Sequence, residues 1–171
     1  MEAVLTACNI SKVYGSGHTQ VTAVRNVSLS IAAGEAVALM GPSGSGKSTL
    51  LSVLGLIIRP NEGSVLIQGA EAGEDERRRA QLRNKFFGYV HQDLAIIENE
   101  TVERNVMIPL EYANPRPGRQ ERRSRVQMAL DRVDMGWALK KNASQLSTGE
   151  RQRVAVARAL VNDPAVILAD E

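Results

Sequence analysis

Residues Gly41-Pro42-Ser43-Gly44-Ser45-Gly46-Lys47-Ser48-Thr49 constrain this chain more than any other stretch. They meet the phosphate-loop pattern G-x-x-x-x-G-K-[ST] at each fixed position. The flanks agree with it. Ala36-Val37-Ala38-Leu39-Met40 is short, apolar and bounded by Gly34 and Gly41, which reads as a buried parallel strand. Lys47 to Ile58 has the length and apolar content of a helix. Strand, glycine-rich loop and helix together can hold an anion. Glycines let successive N–H groups turn inward, and the helix start adds partial positive charge. Lys47 can reach terminal phosphates, and the Ser48 hydroxyl can ligate Mg²⁺.

At 171 residues the chain suits one domain with a real core. A formal net charge of only +2, from 21 basic and 19 acidic residues, gives no electrostatic case for nucleic acid or an anionic membrane surface. Cys8 is the only cysteine, so no intrachain disulfide forms. Met1–Ile10 lacks the basic start and long apolar run of a secretory leader, and no apolar stretch is long enough to span a bilayer. A membrane role would come through a partner.

Along the chain, Val27, Leu29 and Ile31 alternate with Ser28 and Ser30, the period of a half-buried strand. Tyr14-Gly15-Ser16-Gly17 is a turn cluster, and Arg59-Pro60-Asn61-Glu62-Gly63 stops the first helix. Val65–Ile67 and Phe86–Val90 read as short strands, with a solvated, charge-interleaved helix over 71–85 between them. Further on, Pro117 can occupy the first turn of a helix, and Val126, Ala129, Leu130 and Val133 form an amphipathic stripe. Ser147 and Glu150 make an S-x-x-E capping box ahead of Val154, Ala157, Leu160 and Val161. Asn162-Asp163-Pro164 ends that helix, and Val166–Leu168 forms an apolar strand leading to Asp170-Glu171. Strands interleaved with helices predict an α/β sheet with a helical insertion at roughly 93–145.

A phosphate loop alone leaves kinases, GTPases and many ATPases open. Asp170 and Glu171 narrow the choice. Carboxylates at the end of an apolar strand lie at the sheet edge where such loops bind phosphate. There Asp170 can hold Mg²⁺ through water, and Glu171 can act as general base toward an attacking water.

The decisive stretch is Leu146-Ser147-Thr148-Gly149-Glu150, followed by Arg151-Gln152-Arg153 and Ala157-Arg158-Ala159-Leu160. It resembles the signature motif of ATP-binding cassette (ABC) ATPases, usually written LSGGQ. The order of phosphate loop, Gln92, signature and Asp170-Glu171 is that family's order. The resemblance implies an ABC-type P-loop NTPase with a mostly parallel core sheet, an N-terminal antiparallel β subdomain and an inserted α-helical subdomain. It divides residues 1–171 into a β subdomain with P-loop core (1–92), a helical subdomain with the signature helix (93–160) and a second-carboxylate strand (161–171). It places ATP on Tyr14, Gly41, Ser43, Gly44, Ser45, Gly46, Lys47, Ser48 and Thr49. Tyr14 would stack on adenine. Mg²⁺ would be held by Ser48, Gln92 and Asp170, with Glu171 catalytic. Ser147, Thr148, Gly149 and Glu150 would face the ATP of a second ATPase subunit in a head-to-tail dimer.

An integral-membrane permease is the further partner that the resemblance implies. The ATPase would then sit on the cytoplasmic face of a bacterial plasma membrane. Gly41–Leu51, Ile108-Pro109-Leu110-Glu111-Tyr112 and Leu168–Glu171 look like ATPases of the lipoprotein-releasing and macrolide-export type. A cassette ATPase outside transport and a catalytically dead nucleotide-binding module are the competing readings. Thr148 departs from the family pattern by standing at a glycine, and Glu150 by standing at a glutamine. Family members continue past the second carboxylate with a D-loop, a strand and a switch histidine. The sequence is therefore expected to be a C-terminally incomplete cassette, with a slot in its sheet between 36–40 and 165–169.

Overall fold

The computed structural model describes residues 3–170. The chain forms two compact units, 1–83 and 84–171.

In the first unit, strands β1 (Ala3–Tyr14) and β2 (Val21–Ala32) pair antiparallel, joined by a short 3₁₀ turn at Gly17–Thr19. Strand β3 (Glu62–Ile67) pairs antiparallel with the other edge of β1, and β4 (Ala70–Glu71) adds a short hairpin. The order is β2-β1-β3-β4. A register shift between Ala7 and Ile10 interrupts the alternation of β1, with Asn9 at φ 51°. The Ser28 hydroxyl accepts from Asn9 N at 2.8 Å and donates to Asn9 Oδ1 at 3.0 Å, which satisfies the bulge. Leu5, Ala7 and Ile10 are buried on this strand. Helix α1 (Lys47–Leu54) buries Leu50, Val53 and Leu54, the i, i+3, i+4 spacing of one helical face.

Two expectations fail here. The segment 36–40 is not a strand: Val37 is 49% exposed and Met40 is 90% exposed. An extended segment becomes a strand only when a neighbour takes its N–H and C=O groups, and no described strand pairs with it. Helix α1 also ends at Leu54 instead of Ile58. Leu56 turns left-handed (φ 60°), and its carbonyl accepts from Arg79 Nη2 at 3.1 Å and Arg83 Nη1 at 2.7 Å. Arg79 also donates to the Ile58 carbonyl at 3.1 Å. These guanidiniums, on α2 (Glu76–Phe86), satisfy the carbonyls left open where α1 stops. The sequence reads as a solvated, charge-interleaved helix here, yet Arg79 is only 4% exposed. Burial lowers its pKa, and Glu76 opposes that shift.

In the second unit, β5 (Phe87–Val90) and β6 (Val166–Ala169) form a parallel ladder. Between them in sequence come α3 (Val102–Glu111), α4 (Arg119–Asp131) and α5 (Thr148–Leu160). Val102, Val106 and Leu110 of α3, Val126, Ala129 and Leu130 of α4, and Val154 and Ala157 of α5 share one core with Met135 and Ala138. The stripe expected on α4 is the buried one, with Val133 packed at its margin. Pro117 does not enter α4: Gly118 is the N-cap. Gly88 on β5 lies so close to α5 that a Cβ there would stand 2.3 Å from the Ala159 carbonyl oxygen.

Candidate functional site

In the first unit, the turn from Gly41 into α1 carries the phosphate-loop residues. Gly44 (φ 79°) and Gly46 (φ 88°) occupy the left-handed region. A Cβ on Gly46 would stand 2.0 Å from the Ala23 carbonyl oxygen, so that position excludes a side chain on steric as well as conformational grounds. Gly46 is also the N-cap of α1 and supplies no side-chain cap. The cap residue itself offers no side-chain acceptor to the first-turn amides, which suits an anion. Lys47 Nζ donates to the carbonyls of Gly41 and Pro42, both at 2.9 Å. An ammonium has three donors, so the loop's own carbonyls orient Lys47 while one proton is left for a further acceptor. Ser43, Gly44, Ser45 and Ser48 are exposed, and Thr49 is half-buried in the first turn. Tyr14 closes β1 opposite Val21; the residue is 44% exposed, and the Lys12 ammonium lies 5.5 Å from its ring centroid.

The second unit holds the other residues singled out from the sequence. Val90 pairs with Ala169 in parallel register, and Asp170 N continues the ladder to the Val90 carbonyl at 3.0 Å. Gln92 and Asp170 therefore follow the same ends of adjacent strands, the edge where open α/β sheets present functional side chains. Gln92 is exposed and Asp170 half-buried; Glu171 lies outside the described residues. His91 stacks on Tyr89, with ring centroids 4.2 Å apart.

The capping box is formed. Ser147 N and Ser147 Oγ both donate to Glu150 Oε2 at 2.7 Å, and Glu150 N donates back to Ser147 Oγ at 3.3 Å. The Ser147 amide, and then its hydroxyl, hold the Glu150 carboxyl below its ordinary pKa. Thr148 and Gly149 are exposed, and a Cβ on Gly149 would meet nothing.

Sequence reading did not find what holds the segment after Gln92. Leu94 (φ 59°) and Ala95 (φ 44°) are both left-handed, a conformation that costs non-glycine residues. Arg158, on α5, donates to both of their carbonyls, Leu94 O at 2.6 Å and Ala95 O at 2.5 Å. Burial lowers the Arg158 pKa, and Asp93 offsets part of that shift. About two turns nearer the signature on the same helix, Arg151 pairs with Glu98 at 3.0 Å. Fully buried Asn105 accepts from Ile97 N at 2.8 Å and donates to Ile97 O and Thr101 O at 3.0 Å. The helix that begins at the signature thus grips the segment that begins at Gln92. Arg158 and Leu94 are 64 positions apart, and no spacing rule links them.

The ABC transporter family model matches residues 24–171. The chain belongs to the ABC transporter family. As an ABC ATPase domain, it is 45% identical, over its full length, to an ABC transporter ATP-binding protein of Thermotoga maritima, of which it spans 73%. It is 42% identical to the macrolide export ATP-binding/permease protein MacB of Salmonella typhimurium, again over its full length, but spans only 26% of that protein. Among solved structures it resembles the cassette MJ0796, described as a dimeric bacterial ABC transporter cassette. The TM-score is 0.88 and the identity 37%, over 98% of this chain and 73% of that one. Another structure of MJ0796 shows it dimeric, in a post-hydrolysis state with ADP and Pi. CbiO1 of Clostridium perfringens, part of the cbiONQ transporter complex, matches with a TM-score of 0.83 and 28% identity, over all of this chain and 66% of its own. These neighbours establish the ABC cassette fold for this α/β chain, with its antiparallel β subdomain and helices.

Proposed function

We propose that this chain is the nucleotide-binding domain of a bacterial ABC transporter, which binds and hydrolyses ATP and closes with a second copy to drive a membrane permease. The observation that carries this reading is the glycine-built loop at the start of α1, whose only cation is oriented by the loop's own carbonyls. The reading takes residues 1–92 as β subdomain and P-loop core, 93–160 as helical subdomain and 161–171 as the second-carboxylate strand. No helix among the described residues is long and apolar enough to cross a membrane. The reading puts the domain at the cytoplasmic face of the membrane through a permease partner, and MacB, which joins both parts under one name, supports that pairing.

The residues divide the work by their chemistry. Loop amides from Gly41 to Thr49 hold the β- and γ-phosphates, Lys47 supplies a charge-assisted bond to them, and Tyr14 stacks on the base. Ser48, Gln92 and Asp170 offer hard oxygen donors, the type that suits Mg²⁺, which neutralises phosphate charge when bound. Glu171 accepts a proton from water as the water oxygen bonds to the γ-phosphorus. The bond from that phosphorus to the bridging oxygen breaks, and ADP and phosphate leave. Ser147, Thr148, Gly149 and Glu150 meet the partner's ATP. Because the Ser147 hydroxyl donates to Glu150, it must exchange that bond to reach phosphate.

Phosphate release by the Glu171→Gln variant of the protein carrying this chain tests the assignment. Loss of a general base should slow release by about 10²- to 10⁴-fold while ATP binding persists. Unchanged release would move the base elsewhere.

A further inference from the structure

We propose that the helical unit carries a second anion site, distinct from the phosphate loop, which takes a phosphate dianion between α3 and α4. A cavity of about 350 Å³ opens there, and five arginines line it: Arg104, Arg116, Arg119, Arg122 and Arg123. Three glutamates share the lining, which leaves an excess of two positive charges. The local ion pairs do not use up that excess. Arg104, Arg116 and Arg122 all turn to a single carboxylate oxygen, Oε1 of Glu111, the latter two at 3.7 Å and 3.9 Å. Arg123 has Glu103 at 3.6 Å, and Arg119 forms no ion pair among the described residues.

Three guanidiniums around one carboxylate repel one another unless further negative charge joins them. Arg122 adds an independent mark: its Nε is buried and has no hydrogen-bond partner, although the side chain is 16% exposed. A buried donor left open costs free energy that an incoming acceptor restores. The start of α4 contributes as well. Its N-cap is Gly118, with no side-chain cap, and the first-turn carboxylate, Glu121, is drawn away to Arg125 at 2.5 Å. The first-turn amides and the Arg119, Arg122 and Arg123 forks therefore offer donors to one tetrahedral anion. The guanidinium fork matches phosphate oxygens in pairs, and two negative charges match the excess. A free phosphate and the phosphomonoester headgroup of a membrane lipid share this chemistry.

The test uses the whole chain with Lys47→Ala, so that the first phosphate loop does not mask the second site. Inorganic phosphate is titrated while backbone and arginine side-chain amide spectra are recorded. Shifts are expected at the first turn of α4 and at Arg122 Nε. The pair Arg119→Gln and Arg123→Gln, both exposed, should weaken binding by about tenfold or more with helicity unchanged. Arg132→Gln, at the C-cap of the same helix and paired with Asp163, should change nothing. Sedimentation with phosphatidylcholine vesicles, with and without phosphatidic acid, separates the sources. Arginine-dependent binding to phosphatidic acid that inorganic phosphate displaces identifies a headgroup, and inorganic phosphate binding alone identifies a free anion. Absence of both, or equal affinity in the double variant, would overturn the proposal.

Discussion

Replacing Arg158 by alanine should loosen the segment after Gln92 far more than it loosens the fold. The guanidinium makes two bonds, at 2.5 Å and 2.6 Å, to the carbonyls of Ala95 and Leu94. A hydrogen bond to a charged group contributes about 1.5–3 kcal/mol. The two residues it holds are left-handed, and each costs roughly 1–2 kcal/mol relative to a relaxed backbone. The clamp and the strain it offsets are therefore of similar size. Without the clamp, about 3 kcal/mol of local stability should disappear, which corresponds to roughly 100-fold faster amide exchange over residues 94–97. Val106 and Leu130 are fully buried in the helical core, so their exchange should change much less. Arg158→Lys keeps the charge but loses the fork, and should fall between the two. Native-state hydrogen exchange, read residue by residue, measures all three proteins. Equal exchange at 94–97 in wild type and Arg158→Ala would refute the claim that α5 grips this segment.

Two further outcomes follow from the site geometry. Gly46→Ala forces a left-handed alanine whose Cβ meets the Ala23 carbonyl, so the loop must move. Circular dichroism should show α1 retained, while nucleotide affinity in a fluorescence titration falls by about tenfold or more. The Ser147 amide, and then its hydroxyl, hold the Glu150 carboxyl below the usual carboxylate range, so its contribution to the start of α5 is fully present at neutral pH. The contribution is lost as pH falls through the lower, folded value. Exchange protection at Thr148–Glu150 should therefore hold at neutral pH and weaken in acid, and a Glu150→Gln variant should show no such acid dependence.

Much of this was legible before any coordinates, and the reasons are physical. The phosphate loop and the capping box are short-range devices. Spacing alone fixes which backbone groups Gly46, Ser147 and Glu150 can reach, so the sequence states them almost completely. The α4 stripe was equally readable, because one buried face at helical period has a single solution. Apart from the start of α4, the failures are non-local. Whether 36–40 is a strand depends on a neighbour to take its backbone groups, which no local composition encodes. Arg79 reads as one more charge in a polar run, yet it is buried because α1 stops early and leaves carbonyls open. Arg158 reads as a residue after the signature, and its partners lie 63 and 64 positions away. Long basic side chains serve distant backbone carbonyls in both cases, and pattern reading assigns such side chains to solvent.

Residues 41–49 are expected to bind the phosphates of a nucleotide through backbone amides and Lys47. Calorimetric titration of Mg-ATP into wild type and Lys47→Ala, at one salt concentration, measures it most directly. Removing the ammonium deletes a charge-assisted bond, and affinity should fall by at least about tenfold, equivalent to about 1.4 kcal/mol. The helix beyond it should remain folded, since Leu50, Val53 and Leu54 stay buried. Equal affinity in the two proteins would contradict the account, because the loop would then not be where the nucleotide binds.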